Sequence, residues 1–204
     1  MTKAVWGARI GLLGALACAG LASGCGNLTR QGTASSYLVL TSLQGASGGS
    51  GTFSSVLASD VLNVNPTTGA QSIAADLGQA VFQLALKDPG PSGSPNAPSP
   101  NNAITITQYH VQYVRSDGRN VQGVDVPYAF DGGVNLTVAG TGTVAFTLVR
   151  VQAKQEAPLK ALAFGGGADS ITTVAKVTFY GHDQTGRDVS VTGNIEVTFS
   201  DWAG

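Results

Sequence analysis

Two histidines and a scatter of turn carboxylates are the residues in this 204-residue sequence with acid–base or metal chemistry to offer. His110 stands beside Tyr109 in a β-type run, and His182 beside Asp183 in a polar connection. A catalytic triad or a zinc centre would draw on such residues. There is no His-Glu-x-x-His and no closely spaced cysteine pair, so both histidines read as ordinary surface or half-buried residues. The carboxylates Asp117, Asp125, Asp131, Asp183, Asp188 and Asp201 all fall at expected turns. Calcium needs six to eight oxygens, and the densest set is Asp183-Gln184-Thr185-Gly186-Arg187-Asp188. Asp183 and Asp188 are therefore the calcium candidates. Against them, turn aspartates bond their own backbone, and Arg187 competes for the charge. A glycosidase carboxylate pair finds no support in the pattern. No cofactor is expected.

The aromatics offer a different chemistry. Tyr109, Tyr113, Tyr128, Phe130, Phe179, Tyr180 and Trp202 pack a core if they point inward and stack sugar rings if they form an exposed row. Tyr128 and Trp202 lie near apparent strand ends and are the candidates for ligand stacking. Gly165-Gly166-Gly167 has no lysine where a phosphate loop needs one, and reads as a linker.

The elements that must position these residues are short and β-like. Tyr37–Leu40 is the first expected strand, and the glycine-rich stretch Gln44–Thr52 a loop. Phe53–Val64 fits two short strands or one bulged strand. Gln79–Lys87 puts Ala80, Phe82, Leu84 and Leu86 on one face, the alternation of a half-buried strand. Asp88–Asn102 is rich in proline and glycine, and reads as a mobile loop inserted within one domain. In Ile104–Arg115 the apolar parity changes between Ile106 and Tyr109. Either both faces are covered or a bulge near Gln108 switches it. Pro127 confines Val124–Phe130 to an edge or an irregular stretch. Asp131-Gly132-Gly133 reads as a turn. Val134–Val138 and Thr143–Val151 read as a hairpin around Ala139–Gly142. Gln152–Leu162 holds one short helix near Pro158.

The last two strands carry the plainest pattern. Thr172–Tyr180 and Asp188–Phe199 flank a polar connection containing Gly186. Val189, Val191, Ile195, Val197 and Phe199 share one parity, with Gly193 interrupting. A hairpin with one dry face must lay it on another sheet. About eight strands and no long amphipathic helix predict an all-β antiparallel sandwich with a Pro/Gly-rich loop insertion. The pattern resembles the immunoglobulin-like domains of bacterial surfaces, over roughly 37–202. It lacks the Cys…Trp…Cys signature of antibody domains, and a shared architecture carries no function with it.

The N-terminal segment is an address. Lys3 and Arg9 precede a charge-free apolar run, Ile10–Ala22, which is shorter than the roughly 20 residues of a membrane-spanning helix. Leu21-Ala22-Ser23-Gly24-Cys25 follows and resembles the lipobox of bacterial lipoproteins. Its Leu stands one place further from the cysteine than is usual in that family. The same segment also admits ordinary secretion, with cleavage after Ala17. The resemblance implies a diacylglyceryl group on the Cys25 thiol, loss of 1–24 and acylation of the new amine. Several chains, at roughly 0.8 kcal/mol per buried methylene, make a stable anchor. Gly26 stands where an Asp would tend to retain such a protein at the inner membrane, which implies the outer membrane. The expected organisation is a signal peptide over 1–24, a flexible tether over 25–36 and a β-sandwich domain over 37–204.

Of 11 basic and 12 acidic residues, removing Lys3 and Arg9 leaves 9 against 12, a net charge of −3. That balance does not suit a nucleic-acid partner. Charged residues make up 11% of the chain against a usual figure of roughly 25%, so Ser, Thr, Gly, Asn and Gln must cover the surface. The sequence thus predicts a non-enzymatic, lipid-anchored envelope protein. Its domain would be a structural or interaction module that meets another envelope protein or a polysaccharide. The alternative is a carbohydrate-binding module using exposed aromatics, with structural calcium.

Overall fold

Alternating apolar residues build strands along most of the chain, and the computed structural model describes residues 35–48, 51–165 and 169–202. The expected signal peptide, Cys25, nearly all of the tether and the last two residues of the Gly165–Gly167 linker lie outside the described residues. The strands are β1 (Ser36–Ala46), β2 (Val56–Asp60), β3 (Asn63–Val64), β4 (Gln71–Ser72), β5 (Asp76–Leu86), β6 (Ile104–Val114), β7 (Phe130–Val138), β8 (Thr141–Val149), β9 (Ile171–Asp183) and β10 (Asp188–Ser200). A single helical turn and a half, α1 (Val151–Gln155), follows β8, and 3-10 turns occupy Pro100–Asn102 and Leu159–Leu162. The protein is all-β. Eight of its strands have five residues or more, and β3 with β4 is a two-residue ladder to one side.

One sheet has the order β1-β5-β8 and the other β2-β10-β9-β6-β7. The second is mixed, which corrects the expectation of an all-antiparallel fold: β2 runs parallel to β10, Val56 opposite Glu196 and Asp60 opposite Ser200. The reason lies in the path of the chain. After β1 pairs with β5, the Gly-rich segment carries it across to the far edge of the other sheet, where β10 presents an unpaired edge. Near the end of β1, Gly45 leaves room for the core, because a Cβ there would press on Leu57, Leu148 and Ile195.

Side chains of the two sheets meet in one apolar cluster. Phe82 of β5 lies edge-on to Phe179 of β9 at 5.0 Å, and Phe146 of β8 edge-on to Tyr109 of β6 at 5.1 Å. The parity switch in β6 is a bulge. Register slips between Ile106 and Gln108 against both neighbouring strands, so Ile104, Ile106, Tyr109, Val111 and Tyr113 are all buried. The terminal strands pair in unbroken register through Gly193. Ile195, Val197 and Phe199 are buried, while Val189 and Val191, nearer the turn, are half-buried.

Two local expectations fail for the same kind of reason. Asp131-Gly132-Gly133 is not a turn but the interior of β7. Glycine is there because the Tyr109 ring lies where a Cβ of Gly132 would be. β7 and β8 do not form a hairpin: β7 pairs with β6, β8 pairs with β5, and Ala139–Gly140 hands the chain from one sheet to the other. The proline-rich stretch is also pinned at its end. Asn102 accepts from Ser99 N–H and Oγ, while its main-chain carbonyl accepts from Ser36 Oγ at 2.7 Å.

Candidate functional site

The residues singled out for chemistry are dispersed. His110 Nδ1 sits 2.8 Å from Asp131 Oδ1 across the β6–β7 pair, on the outer face of the sheet. His182 is exposed on β9 and faces Asp188 across the β9–β10 pair. Asp183 is buried, and its Oδ1 accepts Thr185 N–H, Thr185 Oγ–H and Arg187 N–H within the turn. Burial alone would raise its pKa, but these hydrogen bonds outweigh it and hold the carboxyl below the ordinary range. Asp188 is exposed at the start of β10. Among the described residues, no three His, Cys, Asp or Glu side chains gather as a metal-holding group.

The aromatics divide. Tyr109 and Tyr113 belong to the core, and Tyr109 Oη accepts Thr147 N–H across the sheets. Tyr128 and Trp202 stay exposed, at 48% and 51%. They stand on different connections: Tyr128 lies over Gly123 between β6 and β7, and Trp202 follows β10. The aromatic pairs of the core involve neither.

The densest chemistry is a buried cluster that the sequence reading did not name. Asp76 opens β5 opposite Val149, where the β5–β8 register slips by one. The extra residue is Leu148 of β8; β5 itself alternates without a break, so Asp76 keeps the inward parity of Ala80, Phe82 and Leu84. α1 then turns Lys154 back over the same end. Both side chains are 0% exposed, and Lys154 Nζ donates to Asp76 Oδ1 at 2.7 Å. Nζ also donates to the main-chain carbonyl of Asp60 at 2.7 Å. Asp76 Oδ1 accepts Gly48 N–H at 2.9 Å, and Oδ2 accepts the Ser59 hydroxyl at 2.5 Å. Three segments distant in sequence thus converge on one carboxyl group.

A second layer extends outward from it. Asp60 Oδ1 accepts Trp202 N–H at 3.3 Å and Leu62 N–H at 3.4 Å. Burial raises the Asp60 pKa, the two N–H donors work against that, and the nearby Asp201 carboxylate adds to it. Asp201 Oδ2 accepts Phe164 N–H at 2.6 Å, and its buried Oδ1 has no hydrogen-bond partner among the described residues. Phe164 adopts φ +67°, a left-handed conformation uncommon for a bulky residue, with its ring in solvent. On the other side of the cluster the Tyr113 phenol donates to Leu148 O at 2.6 Å. Its pKa is driven far up by burial, with the Asp76 carboxylate adding to the effect.

One signal for this cluster was present in the sequence. Asp76 falls on the core-facing parity of its strand, and a carboxyl group there needs a partner. The partner is 78 residues away, and no local pattern marks it.

No family model matches the chain, and no curated protein matches it.

Proposed function

We propose that this is a lipid-anchored envelope protein whose domain is an immunoglobulin-like β-sandwich acting as a non-enzymatic structural or interaction module. The observation that carries the anchor is the run Leu21-Ala22-Ser23-Gly24-Cys25 after a charge-free apolar segment. Its distance from the fold is consistent with that role. The first strand begins at Ser36, so ten residues separate it from Cys25, and ten residues reach no further than about 36 Å. Such a spacing would hold the domain close to the membrane surface.

The strand order supports the immunoglobulin-like reading. In that fold strands A, B and E share one sheet, and C, F and G the other. Here β1, β5 and β8 lie together, opposite β6, β9 and β10. β2 and β7 then extend the second sheet at its two edges. The aromatic contacts between β5 and β9 and between β6 and β8 support two layers packed face to face. For the carbohydrate-binding alternative, Tyr128, Tyr180 and Trp202 keep the required exposure among the aromatics singled out, and they stand on separate elements: the β6–β7 connection, β9 and the segment after β10.

Fractionation of cells expressing wild type and Cys25→Ser tests the anchor. Wild type is expected in the detergent phase with the mass of several acyl chains, and Cys25→Ser uncut or soluble. A wild-type product free in the medium, beginning at Cys18 with an unmodified thiol, would overturn it. A glycan array probed with the described domain tests the module's partner class. Binding that Trp202→Ala and Tyr128→Ala abolish would favour the carbohydrate reading.

A further inference from the structure

The cluster around Asp76 presents an amine to a carboxyl group with neither exposed to solvent. We propose that Lys154 and Asp76 become joined by an intramolecular amide, Nζ to Cγ, once the chain has folded.

The reaction needs no outside reagent. Starting from ammonium and carboxylate, one Nζ proton passes to Asp76 Oδ1, which lies 2.7 Å away. The freed amine lone pair attacks Cγ. A second Nζ proton follows to the same oxygen, the Cγ–Oδ1 bond breaks, and water leaves. The third proton stays on the amide nitrogen. Atoms and charge balance, and nothing is oxidised or reduced.

Each neighbour has a part in that sequence. Oδ2 becomes the amide oxygen, and the Ser59 hydroxyl 2.5 Å away meets the negative charge that gathers on it during attack. The Asp60 carbonyl accepts an Nζ–H before reaction and the amide N–H after it, so the nitrogen is held throughout. Gly48 N–H steadies the departing Oδ1 and afterwards turns to the second lone pair of the amide oxygen. The fold holds the two groups in contact, and such placement is worth effective molarities on the order of 10⁵–10⁸ M. Neither side chain is exposed to bulk solvent, so the released water departs when the fold opens locally, and hydrolysis has no bulk water beside the bond to draw on. The amide also replaces two buried charges by a neutral group. The other described lysines, Lys87, Lys160 and Lys176, are exposed, so this chemistry falls to Lys154.

Peptide mapping of the full-length wild-type chain tests the proposal without relying on a variant that must fold. Trypsin cuts after Arg150, Lys160 and Lys87, and an acylated Lys154 is not cut. The expected product is a branched species: Val151–Lys160 joined to the peptide that contains Asp76 and ends at Lys87. Its mass is the sum of the two less one water, and the linear peptide Val151–Lys154 is absent. Recovery of that linear peptide together with an unmodified Asp76 peptide would overturn the proposal. A branched species that persists in Lys154→Met would overturn the assignment of the nitrogen.

Discussion

The phenol of Tyr113 on β6 donates a 2.6 Å hydrogen bond to the main-chain carbonyl of Leu148 on β8, so a side chain of one sheet is bonded to the backbone of the other. Both residues are buried. The bond fixes the separation of the sheets beside the Asp76–Lys154 pair. Tyr113→Phe keeps the ring packed on Phe199 and removes only the hydroxyl. It is expected to cost about 1–2 kcal/mol in urea melts, since a buried carbonyl loses its donor. Unchanged stability would mean that the carbonyl finds another partner at no cost.

The last strand tests its own parity. Ile195→Ala empties a site that is 3% exposed and is expected to cost about 2–5 kcal/mol. Glu196→Ala, on the outer face, is expected to stay within about 0.5 kcal/mol. Chemical denaturation of both variants checks the contrast, and equal losses would place both faces of β10 under cover.

Neighbouring glycines in β7 make a sharper comparison. A Cβ on Gly132 would meet the Tyr109 ring, while a Cβ on Gly133 meets nothing within 4 Å. The ring is held by Phe146, Phe130 and Thr147 N–H, so it has little room to retreat. Gly132→Ala is expected to cost about 1–3 kcal/mol, the usual penalty of overpacking. Gly133→Ala is expected to stay within about 0.5 kcal/mol. Thermal melts of the pair decide it.

Asp60 gives a pH dependence with a definite sign. Its folded pKa lies above the ordinary 3.8, so the folded state binds that proton more tightly than the unfolded chain does. Ionising Asp60 therefore removes stability as pH rises from 3.8 through the raised folded value, and the loss is complete above that value. Asp60→Asn keeps an Oδ1 acceptor for Leu62 and Trp202 and carries no charge towards Asp201. It is expected to melt higher than wild type at pH 7, with the gap narrowing towards about pH 4. A gap independent of pH would mean that the carboxylate is not the cause.

The parts of the fold legible in the sequence are those fixed by local alternation. Phe82 and Leu84 in β5, the parity switch before Tyr109 and the pairing of the last two strands are all consequences of a two-residue period. What periodicity does not encode is which sheet a strand joins. β7 and β8 are adjacent in sequence and belong to different sheets, because their partners β6 and β5 were set earlier in the chain. Gly132 looked like a turn because the ring that requires it lies more than twenty residues back, at Tyr109. The same distance hid the buried cluster. Asp76 shows in the sequence only as a carboxyl group on a core-facing parity, Lys154 looks unremarkable beside its neighbours, and the turn of α1 after β8 brings them together.

The parallel pairing of β2 with β10 bears on how the domain meets a pulling force. β2 is entered from the N-terminal side at Val56, opposite Glu196, and β10 leaves towards the C-terminus at Ser200, opposite Asp60. Tension applied between the two ends of the domain would drag these strands lengthwise past one another in opposite directions. Their hydrogen bonds would then share the load together, where a peeled hairpin surrenders its bonds one by one. The short strand β2, the least conspicuous of the long elements in the sequence, thus acts as a shear clasp on the strand that closes the fold.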